Sequence, residues 1–453
     1  MYQEIIKKQK DYFNTNKTKD ITHRYNMLRQ MKLMLEENTE LIYDAVYQDL
    51  NKDNYQTFTT ELALLYKEIK HLQRNLSFYS KPRLKKPTLH LLPARNYTVN
   101  EPYGNTLIIA PWNYPILLSL QPSIASLAAG NTVLLKPSEI AKATENLLKQ
   151  LIPKYFKPED FSIVTGDSCF TDKLLNEKFD MIFFTGSSKV GQIVYEKASK
   201  HLCPVVLELG GKSPVIIAKD CNLDLTCKKI VEGKLINAGQ TCIAPDYVLV
   251  DQSIKKDVIN RLEYYANKYL INGIDDYSYP KIINDSHHKR LLDLLDNEIL
   301  LNELVYNDTK ISFTMVENPS HNSKIMQEEI FGPLLPIIEY TNIEEAIQYI
   351  KDKEKPLALY LFTKSIKIKK KIIKEISFGG GCINDVLLHI TSESIPFGGV
   401  GNSGIGNYHN KYSFQTFSHE KGYISRPSTF SMPVYLMPQT KIKEKILNIY
   451  FKK

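Results

Sequence analysis

The chain predicts an α/β protein: a doubly wound, parallel sheet followed by a second α/β domain. Three observations predict it. Short, continuous apolar runs such as residues 106–110 read as strands buried on both faces. Stretches with helical spacing of apolar residues separate those runs. Turns rich in Gly or Pro follow several of them, at the carboxyl ends where open parallel sheets bind ligands.

The elements follow in order. Residues 20–75 read as packed helices, with Leu28, Met31 and Leu35, then Leu41, Ile42, Ala45 and Val46, at helical spacing. Pro82, Pro87 and Pro93 break that pattern, and residues 81–102 read as an arm or hairpin leaving the domain. Strands are expected at 106–110, 132–135, 161–164, 181–184 and 205–207, with helices between them. The alternation resumes with strands at 215–217, 247–250, 334–338 and 360–362. Its helices lie near 223–237, 254–269, 342–351 and 365–376. The resulting division is a cofactor domain at 1–82 and 103–208 and a second α/β domain at 209–390. Bridging segments occupy 83–102 and 391–425, and a basic tail 426–453. In that tail Ile442, Ile446, Ile449 and Tyr450 share a helical face, which either packs on the body or lies on a membrane surface.

Composition narrows the class. The 453 residues suffice for two or three domains, and 43% hydrophobic and 24% charged residues are ordinary for a soluble protein. The six cysteines form no C-x-x-C pair, which argues against a zinc site or a disulfide framework; no metal is assigned. The N-terminus is charged where a signal peptide is apolar, and no run is long enough to span a bilayer. A cytoplasmic protein is expected, with possible contact with a membrane only through the tail. The net charge of +8 owes half its excess to the last 13 residues, with five Lys and one Glu. No basic stripe interleaves with aromatics, so nucleic acid is not an expected partner.

The chemistry-bearing stretches are few. Asn237-Ala238-Gly239-Gln240-Thr241-Cys242 presents one thiol among small and polar residues. Upstream, Leu207-Glu208-Leu209-Gly210-Gly211 sets one carboxylate between apolar residues. Cys242 reads as a nucleophile and Glu208 as a base. Gly186, Ser187 and Gly191 lie in a strand–turn–helix stretch suited to a phosphate, although a turn without ligand has the same local form. Lys136 and Glu139 end a strand and could bond ribose hydroxyls; Ser138 reads equally well there as a plain helix cap. Glu139 would repel a 2′-phosphate. Asn113, in Pro111-Trp112-Asn113-Tyr114-Pro115, offers a neutral amide to an oxyanion. Glu329 and Phe331 could meet a second ribose and a nicotinamide. His287 and His288 are expected to face solvent.

Taken in order, PWNYP, KPSE, FFTGSSKVG, LELGGKSP, NAGQTC, EEIFGP and PFGGVGNSG make the chain resemble the NAD(P)-dependent aldehyde dehydrogenase superfamily over nearly its whole length. The variants PFGGVGNSGIG and SFQTFSH resemble its class 3 and fatty aldehyde branch. The resemblance implies an aldehyde dehydrogenase-like fold: a Rossmann-type cofactor domain, a catalytic domain and a bridging element that pairs subunits into a homodimer. It implies Cys242 as nucleophile, Glu208 as general base and Asn113 as oxyanion donor. Lys136, Glu139, Gly186, Ser187, Gly191, Glu329, Phe331 and Trp112 would bind NAD, or NADP. Tyr114 would line the substrate tunnel. The activity implied is oxidation of a hydrophobic aldehyde to its acid through a thiohemiacetal and a thioester on Cys242. Two alternatives are an acylating enzyme that passes the thioester to coenzyme A, and a non-catalytic membrane-surface protein that kept the fold.

Overall fold

In a computed structural model, which describes residues 2–88, 91–429 and 437–452, the N-terminal region is helical. Helices Tyr2–Asn14, Ile21–Glu37, Thr39–Leu50 and Ala63–Ser80 are its main members, the last preceded by a π turn at Phe58–Leu62. Asp20 opens the second by accepting the His23 N–H at 2.9 Å. Asn51 closes the third in the left-handed region, at φ 54°. Their apolar stripes, Leu28, Leu35, Leu65 and Leu72 among them, bury against helix Pro115–Ala129, every residue of which is buried. That helix ends at Gly130 (φ 96°), where a Cβ would lie 2.7 Å from the Arg24 guanidinium.

Strands β1 (Arg83–Lys85) and β2 (Arg95–Pro102) form the expected hairpin. Strands β3 (Asn105–Ile109), β4 (Thr132–Lys136), β5 (Phe161–Ile163), β6 (Met181–Thr185) and β7 (Val205–Glu208) build the first large sheet. β8 (Pro214–Ile217), β9 (Tyr247–Asp251), β10 (Thr314–Glu317), β11 (Leu334–Tyr340), β12 (Ala358–Phe362) and β13 (Gly380–Ile383) build the second. β14 (Gly404–Ile405) returns to the first sheet, and β15 (Ser418–Ser425) joins β2.

The first sheet runs β14-β7-β6-β3-β4-β5, parallel except for β14. Its order reverses between β3 and β6, which opens a crevice at their carboxyl ends. Alternate residues serve opposite faces: Ile108 and Phe183 join the core of the N-terminal helices, whereas Leu107, Ile109, Ile182 and Phe184 meet Val194 and Ala198 behind. The second sheet, β10-β11-β9-β8-β12-β13, is wholly parallel and is covered on both faces in the same way.

Sequence patterning missed β10 and β13. β13 is glycine-rich because its backbone presses on its neighbour: a Cβ at Gly381 would lie 2.0 Å from the Leu359 carbonyl oxygen. The stretch 391–425, grouped as one bridging segment from sequence, has two surroundings. Phe397 and Tyr408 pack beside the first sheet, while β15 lies on the outer hairpin with seven of its eight residues exposed.

Candidate active site

Glu208 is the last residue of β7, and six residues later β8 begins the second sheet. It therefore stands at the seam of the two sheets. Pairing with Thr185 on one side and Gly404 on the other fixes its backbone. Both carboxyl oxygens are buried without a hydrogen-bond partner among the described residues, and burial pushes the group well above the usual carboxylate range.

Cys242 follows a turn of unusual backbone. Asn237, Ala238 and Gly239 are all left-handed, at φ 52°, 50° and 74°. Side chains hold this strained path. Gln240, fully buried, donates to the carbonyls of Asn237 (3.1 Å) and Lys281 (2.9 Å) and accepts from the Ile283 N–H (3.0 Å). Gly239 presses on the turn that carries Phe331: a Cβ there would lie 2.3 Å from the Gly332 carbonyl oxygen. Phe331 itself is left-handed, at φ 50°.

The loop after β3 meets this turn. Asn237 Nδ2 donates to the Asn113 carbonyl (2.8 Å), and Asn113 Nδ2 donates to the Gln240 carbonyl (3.1 Å). The Tyr114 hydroxyl bonds Thr241 Oγ1 (2.6 Å). Burial, with Glu329 and Glu208 nearby, raises the Cys242 thiol, while its own N–H and that of Ile243 oppose the rise.

Glu329 lies so near the backbone that a Cβ at Gly210 would sit 1.9 Å from its Oε2. Burial, then Asp246, pushes its carboxyl up to about 8, against a hydrogen bond from the Gly211 N–H. Asp246 is held by Lys212 and by the Ile330 N–H (2.9 Å).

Cys242, Glu208, Tyr114 and Thr241 line one cavity of about 260 Å³. Among the described residues Glu208 brings the one carboxyl to its wall, no Lys, Arg or His lines it, and the rest is dominated by Leu, Ile and aromatic residues. Leu388 lines it too and is half-exposed, so the cavity opens to solvent there. Sequence reasoning missed Leu388 and Tyr408 as wall residues. Leu388 belongs to no motif, and Tyr408 lies just beyond the glycine-dense stretch that was the available signal.

Lys136 ends β4 buried, and its ammonium pairs with Glu139. Ser187 caps helix Ser188–Ser199, directly after β6 at the crevice. Glycine is required behind it: a Cβ at Gly191 would lie 2.5 Å from Leu209. Trp112 joins Phe331 edge-on, with ring centroids 5.3 Å apart. These residues fit a dinucleotide: a capped helix N-terminus for phosphate, a strand-end Lys–Glu pair for ribose hydroxyls and an aromatic corner of Trp112 and Phe331. The two histidines require a correction. His287 is partly buried with its ring 5.0 Å from Trp112, and His288 is buried; Asn284 caps their helix and turns both inward. Among the described residues no cluster of His, Cys, Asp or Glu could hold a metal.

Comparison with known proteins agrees with this geometry. The Aldehyde dehydrogenase family matches residues 1–422. The chain is 41% identical to the 4,4′-diaponeurosporen-aldehyde dehydrogenase of Staphylococcus aureus, covering 98% of this chain and 97% of that one. It is also 41% identical to the dimeric NADP-preferring aldehyde dehydrogenase of Mus musculus, over 93% of this chain and 94% of the relative. Aldehyde dehydrogenase family 3 member A2 of the same species is 41% identical, over 90% and 85%. The solved substrate-bound state of Staphylococcus aureus AldH superposes with a TM-score of 0.97 at 40% identity, covering 100% of this chain and 99% of that one. The chain belongs to the aldehyde dehydrogenase family and is an enzyme that oxidises aldehydes with NAD(P).

Proposed function

We propose that Cys242 adds to the aldehyde carbonyl, that the Asn113 amide and the Cys242 N–H receive the oxyanion, and that Glu208 is the base. The observation that carries this reading is the shared cavity, where one thiol and one carboxyl face each other's space on an otherwise uncharged wall. A carboxylate buried without partners is a strong base, and desolvation is the cause. The thiol, raised by burial, attacks as the thiolate once its proton has left to solvent, and Glu208 stays free to act as base in the later step. NAD(P), when bound, supplies the acceptor for the hydride that leaves the thiohemiacetal. A thioester on Cys242 remains. Glu208 then takes a proton from water, the hydroxide adds to the thioester carbonyl, and collapse releases the acid and the thiolate.

For the cofactor we assign Lys136 and Glu139 to one ribose and the Gly186–Ser187 turn, backed by Gly191, to the pyrophosphate. Trp112, Glu329 and Phe331 take the nicotinamide end. Glu139 favours NAD over NADP through repulsion of a 2′-phosphate. The first sheet with the N-terminal helices forms the cofactor domain, and the second sheet the catalytic domain. The substrate is a hydrophobic aldehyde, which the apolar wall and Tyr114 suit. The relatives include one that, by its name, acts on 4,4′-diaponeurosporen-aldehyde. A homodimer forms through the outer hairpin, where β15 presents an open edge with Tyr423 and Ile424 exposed.

Tail helix Lys441–Phe451 carries Ile442, Ile446 and Ile449 exposed beside its lysines, a pattern suited to an anionic membrane surface. Residues 430–436, which lead to it, lie outside the described residues. No helix among the described residues is long and apolar enough to cross a membrane. NADH formation with aldehydes of rising chain length, compared between the parent and Cys242→Ser, tests the assignment. Turnover that persists in the variant refutes it.

A further inference from the structure

Glu61 is fully buried, and both its oxygens act on the backbone and side chains behind the Asn113 loop. Oε2 accepts the N–H of Ile116 (2.9 Å) and of Leu117 (3.0 Å). These are the first N–H groups of helix Pro115–Ala129, because Pro115 has none. Oε1 meets the Lys52 ammonium at 2.6 Å, and neither side chain reaches solvent. The same ammonium stands 4.3 Å from the centroid of the Tyr114 ring.

This is an unusual way to start a helix. The N-cap position is Tyr114, whose side chain makes no cap bond. The cap is supplied instead by a carboxylate 55 residues from Ile116 in the chain. Glu61 sits in the π turn Phe58–Leu62, an interruption that often marks a functional segment. Thr59 and Thr60 of that turn line the substrate cavity. The Asn113–Tyr114 pair is thus gripped from two sides. Asn237 and Thr241, from the Cys242 turn, hold its front; Glu61 and Lys52 hold its back.

We propose that Glu61, with Lys52, is a positioning residue that fixes Asn113 and Tyr114 for the developing oxyanion. The proposal rests on the assignment of Asn113 as oxyanion donor. An amide at residue 61 keeps one acceptor but loses the charge that holds both helix N–H groups and the ammonium. The loop then loses its fixed seat, and an oxyanion donor is effective only when preorganised.

The test is the rate of the first NADH burst under saturating aldehyde and NAD in Glu61→Gln. The comparison is with the parent and with Ile372→Ala, which removes a fully buried side chain from the core over the second sheet, away from the loop. The expected result is a burst slowed at least tenfold in Glu61→Gln, with NAD affinity unchanged, while Ile372→Ala keeps the parent burst rate. A folded Glu61→Gln with a burst within twofold of the parent overturns the proposal. If Glu61→Gln does not fold, Lys52→Met, which leaves the helix cap in place, serves the same test. A burst slowed at least threefold supports the proposal, and one indistinguishable from the parent overturns it. Absence of a Cys242-dependent burst in the parent would instead refute the proposed function.

Discussion

The Tyr114 hydroxyl and Thr241 Oγ1 lie 2.6 Å apart, joining the loop after β3 to the residue before Cys242. Through this bond each large sheet holds part of the other's site. Tyr114→Phe removes it and leaves a buried threonine hydroxyl short of one partner. A lost bond of this kind costs about 1 kcal/mol, so aldehyde kcat/KM should fall roughly fivefold. Steady-state kinetics with a hydrophobic aldehyde check this.

Gln240 is the scaffold of the Cys242 turn. Gln240→Leu would strand the Lys281 carbonyl and the Ile283 N–H, which the amide now satisfies. Each unsatisfied buried group costs about 1–3 kcal/mol. Thermal unfolding should show a fall in Tm of several degrees, together with loss of turnover.

Gly210 tests the place of Glu329. With a Cβ at Gly210 meeting Oε2, Gly210→Ala forces the Glu329 side chain away. Because the obstacle is the far end of a flexible side chain, the protein should fold. NAD affinity, followed by fluorescence titration, should weaken measurably.

Glu329 also gives a pH signature. Its folded carboxyl is pushed up to about 8, above the unfolded value near 4.5. Between those values the folded state holds the extra proton, so this group's contribution to stability falls as pH rises. Glu329→Gln escapes that loss. Its Tm relative to the parent should therefore rise steadily from pH 5 to pH 8.5, as differential scanning calorimetry can show.

Much of the fold was legible because parallel strands buried on both faces are continuous apolar runs. All five expected strands of the first sheet are present, and four of the six in the second. β10 and β13 escaped because pairing, not composition, makes them strands, as the bare backbone of Gly381 shows. The family, the fold and the reaction class were readable from motifs. The tunnel was not: Leu388 and Tyr408 reach the cavity from distant segments through tertiary packing. The burial of His287 was hidden for the same reason, since its partner Trp112 comes from the loop after β3.

The central claim is that Glu208 drives release of a thioester formed on Cys242. The most direct measurement is NADH production by Glu208→Gln in a rapid-mixing experiment with excess aldehyde and NAD. The account predicts a burst of one NADH per active site followed by near-complete arrest of turnover. Steady-state turnover equal to the parent's would contradict it.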